Sequence, residues 1–347
     1  MSMRTKMKPL KKVIISAAAI LLIGILALIV VFFDVFRTAA SITKINTGPS
    51  YEMNYYGGYA LNQYLKQGAG SADELRSFLV DNLAKGASDF AIGKHGCSAF
   101  FAKTPDGDLI LARNLDTPIG EGCVLKTDNT EGSRILAVSN LAWIFDKQKE
   151  IVTLADKGNV LAAPYVITDG MNEYGLAVAY FMAAGSEYSS DKDKVTICDH
   201  ASLAALLNKA KTVDEAVSLL SKYNLGIGNF DPLQFMICDA AGKSAVIEFV
   251  DGKMQVINMD GNYQICTNFI LYNNPSLTGF GSDRYKNYDA VLSKSGGVIS
   301  TEDALKLLQK NTIPGDEQWS VVYNLTKKTL SATFYGYYDD VHTYSLK

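Results

Sequence analysis

Residues 13–33, VIISAAAILLIGILALIVVFF, form one apolar run of 21 residues without a charge. At about 1.5 Å rise per residue such a run matches the roughly 30 Å hydrocarbon layer, so the pattern predicts a single transmembrane helix. Residues 34–60 are polar, are broken by Gly48-Pro49 and Gly57-Gly58, and read as a linker. Leu61, Leu65, Leu75, Phe78, Leu79 and Leu83 then recur near helical spacing and predict one or two helices within 60–85. From Cys97 the period shortens. Apolar runs at 97–103, 108–114, 134–139, 151–155, 163–168 and 175–182, separated by turn residues, predict strands. Asp169-Gly170-Met171-Asn172-Glu173-Tyr174-Gly175 reads as a turn between two of them.

Residues 199–223 return to helical spacing, with Asp199 as a candidate cap and Thr212-x-x-Glu215 opening a second helix. Strands resume at 233–239, 244–250, 253–258 and 263–267, helices at 283–293 and 301–310, and strands at 318–324, 329–335 and 341–345. Strands, helices, strands and helices in that order predict a layered α+β fold rather than βαβ winding. The chain divides into a basic tail (1–12), the apolar span (13–33), a linker with a helical pro-segment (34–96) and a main domain (97–347).

Charge refines this picture. Arg4, Lys6, Lys8, Lys11 and Lys12 precede the apolar span, which places the N-terminus in the cytoplasm and the main domain outside the cell membrane. Phe36-Arg37-Thr38-Ala39-Ala40 offers the alternative of a cleaved signal and a secreted protein. Removing those five charges from the formal net charge of −3 leaves about −8 for the remainder, which argues against a nucleic-acid partner. His95, His200 and His342 lie far apart, without CxxC or HExxH spacing, so neither a metal site nor a cofactor is expected.

Cys97 has three readings: a buried strand residue, a disulfide partner, or a nucleophile. An unactivated thiol has a pKa near 8.5 and needs a base or a nearby cation. If the Gly96–Cys97 bond is cut, the new α-amine, with a pKa of roughly 7.7–8.0, can take the proton of its own thiol. The absence of a Cβ at Gly96 eases the approach of the thiol to its carbonyl. A hairpin of 97–103 with 108–115 returns Arg113 and Asp116 to Cys97. There Arg113 favours a thiolate, and Asp116 can accept from the ammonium. Asn268, closing the strand 263–267, is a candidate oxyanion donor. The bland alternatives are a strand-end salt bridge for Arg113 and Asp116 and a turn residue for Asn268.

Cys97-Ser98 followed by Arg113-Asn114-Leu115-Asp116 resembles the N-terminal-nucleophile cysteine hydrolases of the choloylglycine hydrolase, or linear amide C–N hydrolase, superfamily. Acid ceramidase-like amidases and isopenicillin N acyltransferases are its relatives. Ala112 stands where those families commonly have glycine. Met171–Leu176, Gln234–Phe249, Thr267-Asn268, Ser282-Asp283-Arg284-Tyr285 and Trp319–Tyr323 extend the likeness over 97–347. No Asn follows the 172–176 turn, where bile salt and penicillin V enzymes often carry a second active-site residue, commonly Asn or Tyr; Tyr180 or a backbone N–H of 179–183 is the alternative donor. The short interval from Asn268 to Arg284 is more similar to the ceramidase-type branch.

The resemblance implies a four-layer αββα sandwich and autoproteolysis at Gly96–Cys97. It also implies Cys97, Arg113, Asp116, Asn268 and Arg284 as catalytic residues, acting on a small-molecule N-acyl amide. Acyl transfer on the same scaffold and an inactive membrane-anchored binding protein are the alternatives.

Overall fold

The computed structural model describes residues 13–17, 32–45, 50–83, 96–117, 120–128, 130–145, 150–228 and 231–346. The expected transmembrane helix is corrected. Among the described residues no helix is long and apolar enough to cross a membrane. The predicted span is helical at 13–17 and again from 32, and its centre, 18–31, lies outside the described residues.

The segment read as a linker enters the fold. A helix over 32–41 leads to β1 (Thr43–Lys44) and β2 (Tyr51–Tyr56), followed by α1 (Leu61–Gln67) and α2 (Ala72–Asn82). Tyr51, Met53 and Tyr55 alternate inward along β2, a strand period that polar neighbours mask. Ser71 caps α2 through a full capping box with Glu74. A hairpin follows as β3 (Gly96–Lys103) and β4 (Leu109–Thr117), then β5 (Gly122–Asp128) and β6 (Ile135–Asn140). Residues 151–155 are not a strand. Thr153 and Asp156 form a capping box that opens α3 (Leu154–Asn159) and leaves Leu154 exposed. Next come β7 (Ile167–Asn172) and β8 (Ala177–Met182), so the predicted turn at 169–175 is half strand.

A short strand, β9 (Thr196–Cys198), precedes α4 (Ser202–Lys209) and α5 (Val213–Leu220), and β10 (Asn224–Gly226) pairs back in parallel on β9. Thr212 caps α5 by accepting from Glu215 N–H, as the pattern predicts, whereas α4 has no side-chain cap. β11 (Leu233–Cys238), β12 (Ser244–Val250), β13 (Lys253–Asn258) and β14 (Gln264–Cys266) lead to α6 (Ser282–Leu292) and α7 (Thr301–Gln309). The chain closes with β15 (Glu317–Asn324), β16 (Thr329–Phe334) and β17 (His342–Ser345).

The strands form a nine-stranded sheet, β1-β2-β5-β6-β7-β8-β11-β12-β13, and a six-stranded sheet, β14-β3-β4-β15-β16-β17. Phe181, Met171 and Met236 of the first interleave with Phe101, Leu111 and Val321 of the second in one buried layer. Helices α4 and α5 cover the outer face of the large sheet. Along α5, Val213, Ala216 and Leu220 are buried, an inward stripe of helical period. Helices α6 and α7 cover the small sheet through Tyr288, Leu292, Leu305 and Leu308. The result is a helix–sheet–sheet–helix sandwich with the β3–β4 hairpin in its centre.

Candidate active site

The hairpin forms because Thr104–Asp108 is a tight turn. Thr104 N–H donates to Asp108 O (2.7 Å), and Gly107 adopts φ +88°, which favours glycine. The register then sets Gly96 opposite Asp116, Cys97 opposite Leu115 and Ala99 opposite Arg113. Alternate residues share a face, so Cys97 and Arg113 point between the two sheets, while Gly96 and Asp116 point toward the α6–α7 layer.

Arg113 Nη2 donates to Cys97 Sγ at 3.4 Å and to the Tyr180 carbonyl at 2.9 Å. Its Nη1 donates to Asp169 Oδ2, and all three side chains at this junction are buried. Asp169 is in turn held by Thr168 Oγ1 (2.7 Å) and Tyr323 Oη (2.6 Å). Burial pushes the Cys97 thiol up to about 11, and the adjacent Arg113 pulls it back only in part. In this state Cys97 carries a protonated thiol whose neighbour is a donor, not a base.

Cys97 N–H donates to Asn268 Oδ1 at 2.6 Å. The same oxygen accepts from Arg284 Nη2 (3.0 Å), and Asn268 Nδ2 donates to Met182 O (2.9 Å). Arg284 Nη1 reaches Asp116 Oδ2 at 3.3 Å, and Ile313 N–H donates to Asp116 Oδ1 at 3.1 Å. Burial raises Asp116 to about 6, with the Ile313 N–H and the Arg284 guanidinium opposing it. The sequence reading placed Asp116 on the Cys97 nitrogen. The structure gives that contact to Asn268, because Asp116 lies on the other face of β4 and connects through Arg284. Gly281, at φ +85°, opens α6, and a Cβ there would stand 2.6 Å from Arg284 Nη2.

The five residues singled out in the sequence thus meet in one buried network. A Cβ on Gly96 would lie 2.3 Å from Ile313 Cδ1, so glycine fits there for space. All five cysteines are free and buried, which corrects the disulfide reading of Cys97. His95 lies outside the described residues. Phe100 packs on Tyr288 (5.1 Å between centroids) in the helix-side core.

Sequence reasoning missed Asp169, which it read as a turn residue because glycine follows. It also missed the clamp on the Asn268 loop. Gln234 Nε2 donates to Thr267 O (2.5 Å) and Phe269 O (3.3 Å), the carbonyls on either side of Asn268. Glu248 accepts from Leu271 N–H (2.6 Å) and Tyr272 N–H (2.8 Å). A buried Gln and a buried Glu in alternating apolar strands were the available signal.

A family model described as linear amide C–N hydrolases, choloylglycine hydrolase family, matches residues 97–315. Penicillin V acylase of Pectobacterium atrosepticum is 32% identical over 182 residues, which is 45% of this chain and 46% of that protein. The match therefore spans less than half the length of that curated relative. A mutant conjugated bile acid hydrolase from Clostridium perfringens superposes with a TM-score of 0.50 at 17% identity, over 72% of this chain and 92% of that one. That likeness bears on the fold.

Proposed function

The chain belongs to the linear amide C–N hydrolase, choloylglycine hydrolase family, and from that premise we propose that it hydrolyses the amide of a small N-acyl substrate with Cys97 as nucleophile. The observation that carries this reading is the convergence on one residue: Arg113 on Cys97 Sγ and Asn268 Oδ1 on Cys97 N. The thiol is raised by burial and touches a guanidinium that cannot take its proton. The base in this proposal is the α-amine freed when the Gly96–Cys97 peptide is cut.

In the cycle that follows, Cys97 Sγ bonds to the substrate carbonyl carbon and its proton passes to the α-amine. Asn268 Nδ2, with one N–H on Met182 O and a second to give, donates to the oxyanion. The C–N bond breaks as the α-amine returns the proton to the leaving nitrogen. Water then attacks the thioester, releasing the acid and regenerating the thiol. Arg113 steadies the sulfur, and Arg284 holds Asn268 and Asp116 in register.

Penicillin V and conjugated bile acids, named for the relatives, head the panel of linear N-acyl amides to test. Hydrolysis of at least one member, lost in Cys97→Ala, supports the proposal. Full activity in Cys97→Ala, or a self-cleaved protein that turns over no linear amide, overturns it.

A further inference from the structure

A second cluster lies outside the amide chemistry, where β9 ends and α4 begins. Cys198, Asp199 and His200 are consecutive and all buried, at 1%, 0% and 3% exposure. The Sγ, a carboxylate oxygen and a ring nitrogen all lie within 4.8 Å of one another. Asp199 Oδ1 stands 2.7 Å from His200 Nδ1 and 3.8 Å from Cys198 Sγ. Zinc-type bonds of about 2.0–2.3 Å place tetrahedral donors roughly 3–4 Å apart, so small side-chain shifts bring these three onto one ion.

The parallel pairing of β10 on β9 sets Gly226 beside Cys198 and brings Gly228 over the cluster. A Cβ on Gly228 would lie 2.5 Å from His200 Nδ1, 2.9 Å from Asp199 Oδ1 and 2.9 Å from Cys198 Sγ. Three donors of different chemistry therefore close on the Cα of Gly228, where no side chain would fit. The neighbouring Ile227 is 45% exposed, so the cluster lies just beneath the surface.

The polar accounting points the same way. The Asp199 carboxylate is fully buried, and its ion-pair partner is His200, which is a cation only when protonated. Asp199 Oδ1 also accepts from His200 N–H (2.8 Å) and Gly228 N–H (2.9 Å), and Tyr188 Oη donates to Oδ2 at 2.9 Å. His200 Nε2, across the ring from the cluster, is buried without a hydrogen-bond partner. Buried charge is costly without a counter-charge.

We propose that Cys198, Asp199 and His200 form a binding site for a borderline-soft divalent cation of the zinc type. A thiolate, a carboxylate and a neutral imidazole neutralise a dication. On binding, the Cys198 thiol proton leaves to solvent, and the imidazole coordinates through Nδ1 with its proton on Nε2. The ion ties the start of α4 to the β9–β10 pair. The site stands independently of the Cys97 reading.

The test uses the full chain, stripped with chelator and then titrated with cobalt(II) or zinc(II). The expected result is about one ion per chain by mass spectrometry of the metal, with a thiolate-to-cobalt charge-transfer band in the near ultraviolet. Cys198→Ser should lose that band and bind cobalt at least about tenfold more weakly. Cys123→Ser, which removes a different buried thiol, should retain both. Should Cys198→Ser not fold, the wild-type band alone decides. No stoichiometric ion, a cobalt complex without the thiolate band, or equal loss in Cys123→Ser overturns the proposal.

Discussion

Asp169→Asn isolates the part of the site that the sequence did not reveal. The substitution keeps the shape and removes the charge that holds Arg113 Nη1. Both side chains are fully buried, so the guanidinium is left as an unpaired buried cation. Breaking such a pair from one side costs about 3–5 kcal/mol. With a urea m-value near 3 kcal/mol/M, the unfolding midpoint should fall by roughly 1–1.7 M. Amide turnover should fall with it, because Arg113 also positions Cys97 Sγ. The double variant Arg113→Met/Asp169→Leu removes both charges and should recover stability to within about 1 kcal/mol of the parent. It should not recover turnover. A midpoint within about 0.2 M of wild type for Asp169→Asn, with turnover retained, would refute the reasoning.

The remaining predictions concern the same network. Gly96→Ala should slow self-cleavage by pressing a Cβ on Ile313, and Ile313→Ala should restore the rate; time-resolved gel analysis reads both. Asp116 is raised by burial to about 6, so its contribution favours the fold below its unfolded pKa and fades as pH rises through about 6. Between pH 7.5 and 5 the wild type should therefore gain roughly 1 kcal/mol relative to Asp116→Asn, measured by urea titration at each pH. Glu248→Gln removes one of two acceptors for the Leu271 and Tyr272 N–H groups. It should lower kcat about tenfold with little change in KM, since the Asn268 loop shifts without losing a substrate contact. An unchanged kcat would show that the clamp does not govern Asn268.

What was legible in the sequence was what depends on near neighbours. The β3–β4 hairpin follows from strand alternation and the turn at Pro105-Asp106-Gly107, and it fixes the register that brings Arg113 to Cys97. The cap at Thr212 is likewise local. Pairings between distant segments were not legible. β2 joins β5 in parallel across the whole hairpin, so Tyr51 and Tyr55 bury themselves in a segment whose composition reads as linker. Asp169 gains its meaning from Arg113, 56 positions earlier, and in isolation an acid before glycine reads as a turn. The Asp116 contact was misassigned for a geometric reason: three residues after Arg113 in a strand, it must face the opposite side of the sheet. Cys198-Asp199-His200 carries no ligand spacing motif, and only the fold shows that the three donor atoms lie within 4.8 Å of one another.

The central claim is that Cys97 becomes a free N-terminal nucleophile. Intact-mass spectrometry of the purified full chain, beside Cys97→Ala, tests it most directly. The account predicts a wild-type fragment that begins at Cys97 and an uncut variant. Because β2 pairs with β5 in the large sheet and α1 and α2 pack into the same core, it also predicts that the upstream fragment co-elutes with the main one under native conditions. An uncut wild-type chain that hydrolyses its amide, or a Cys97→Ala chain cut at the same bond, would contradict it.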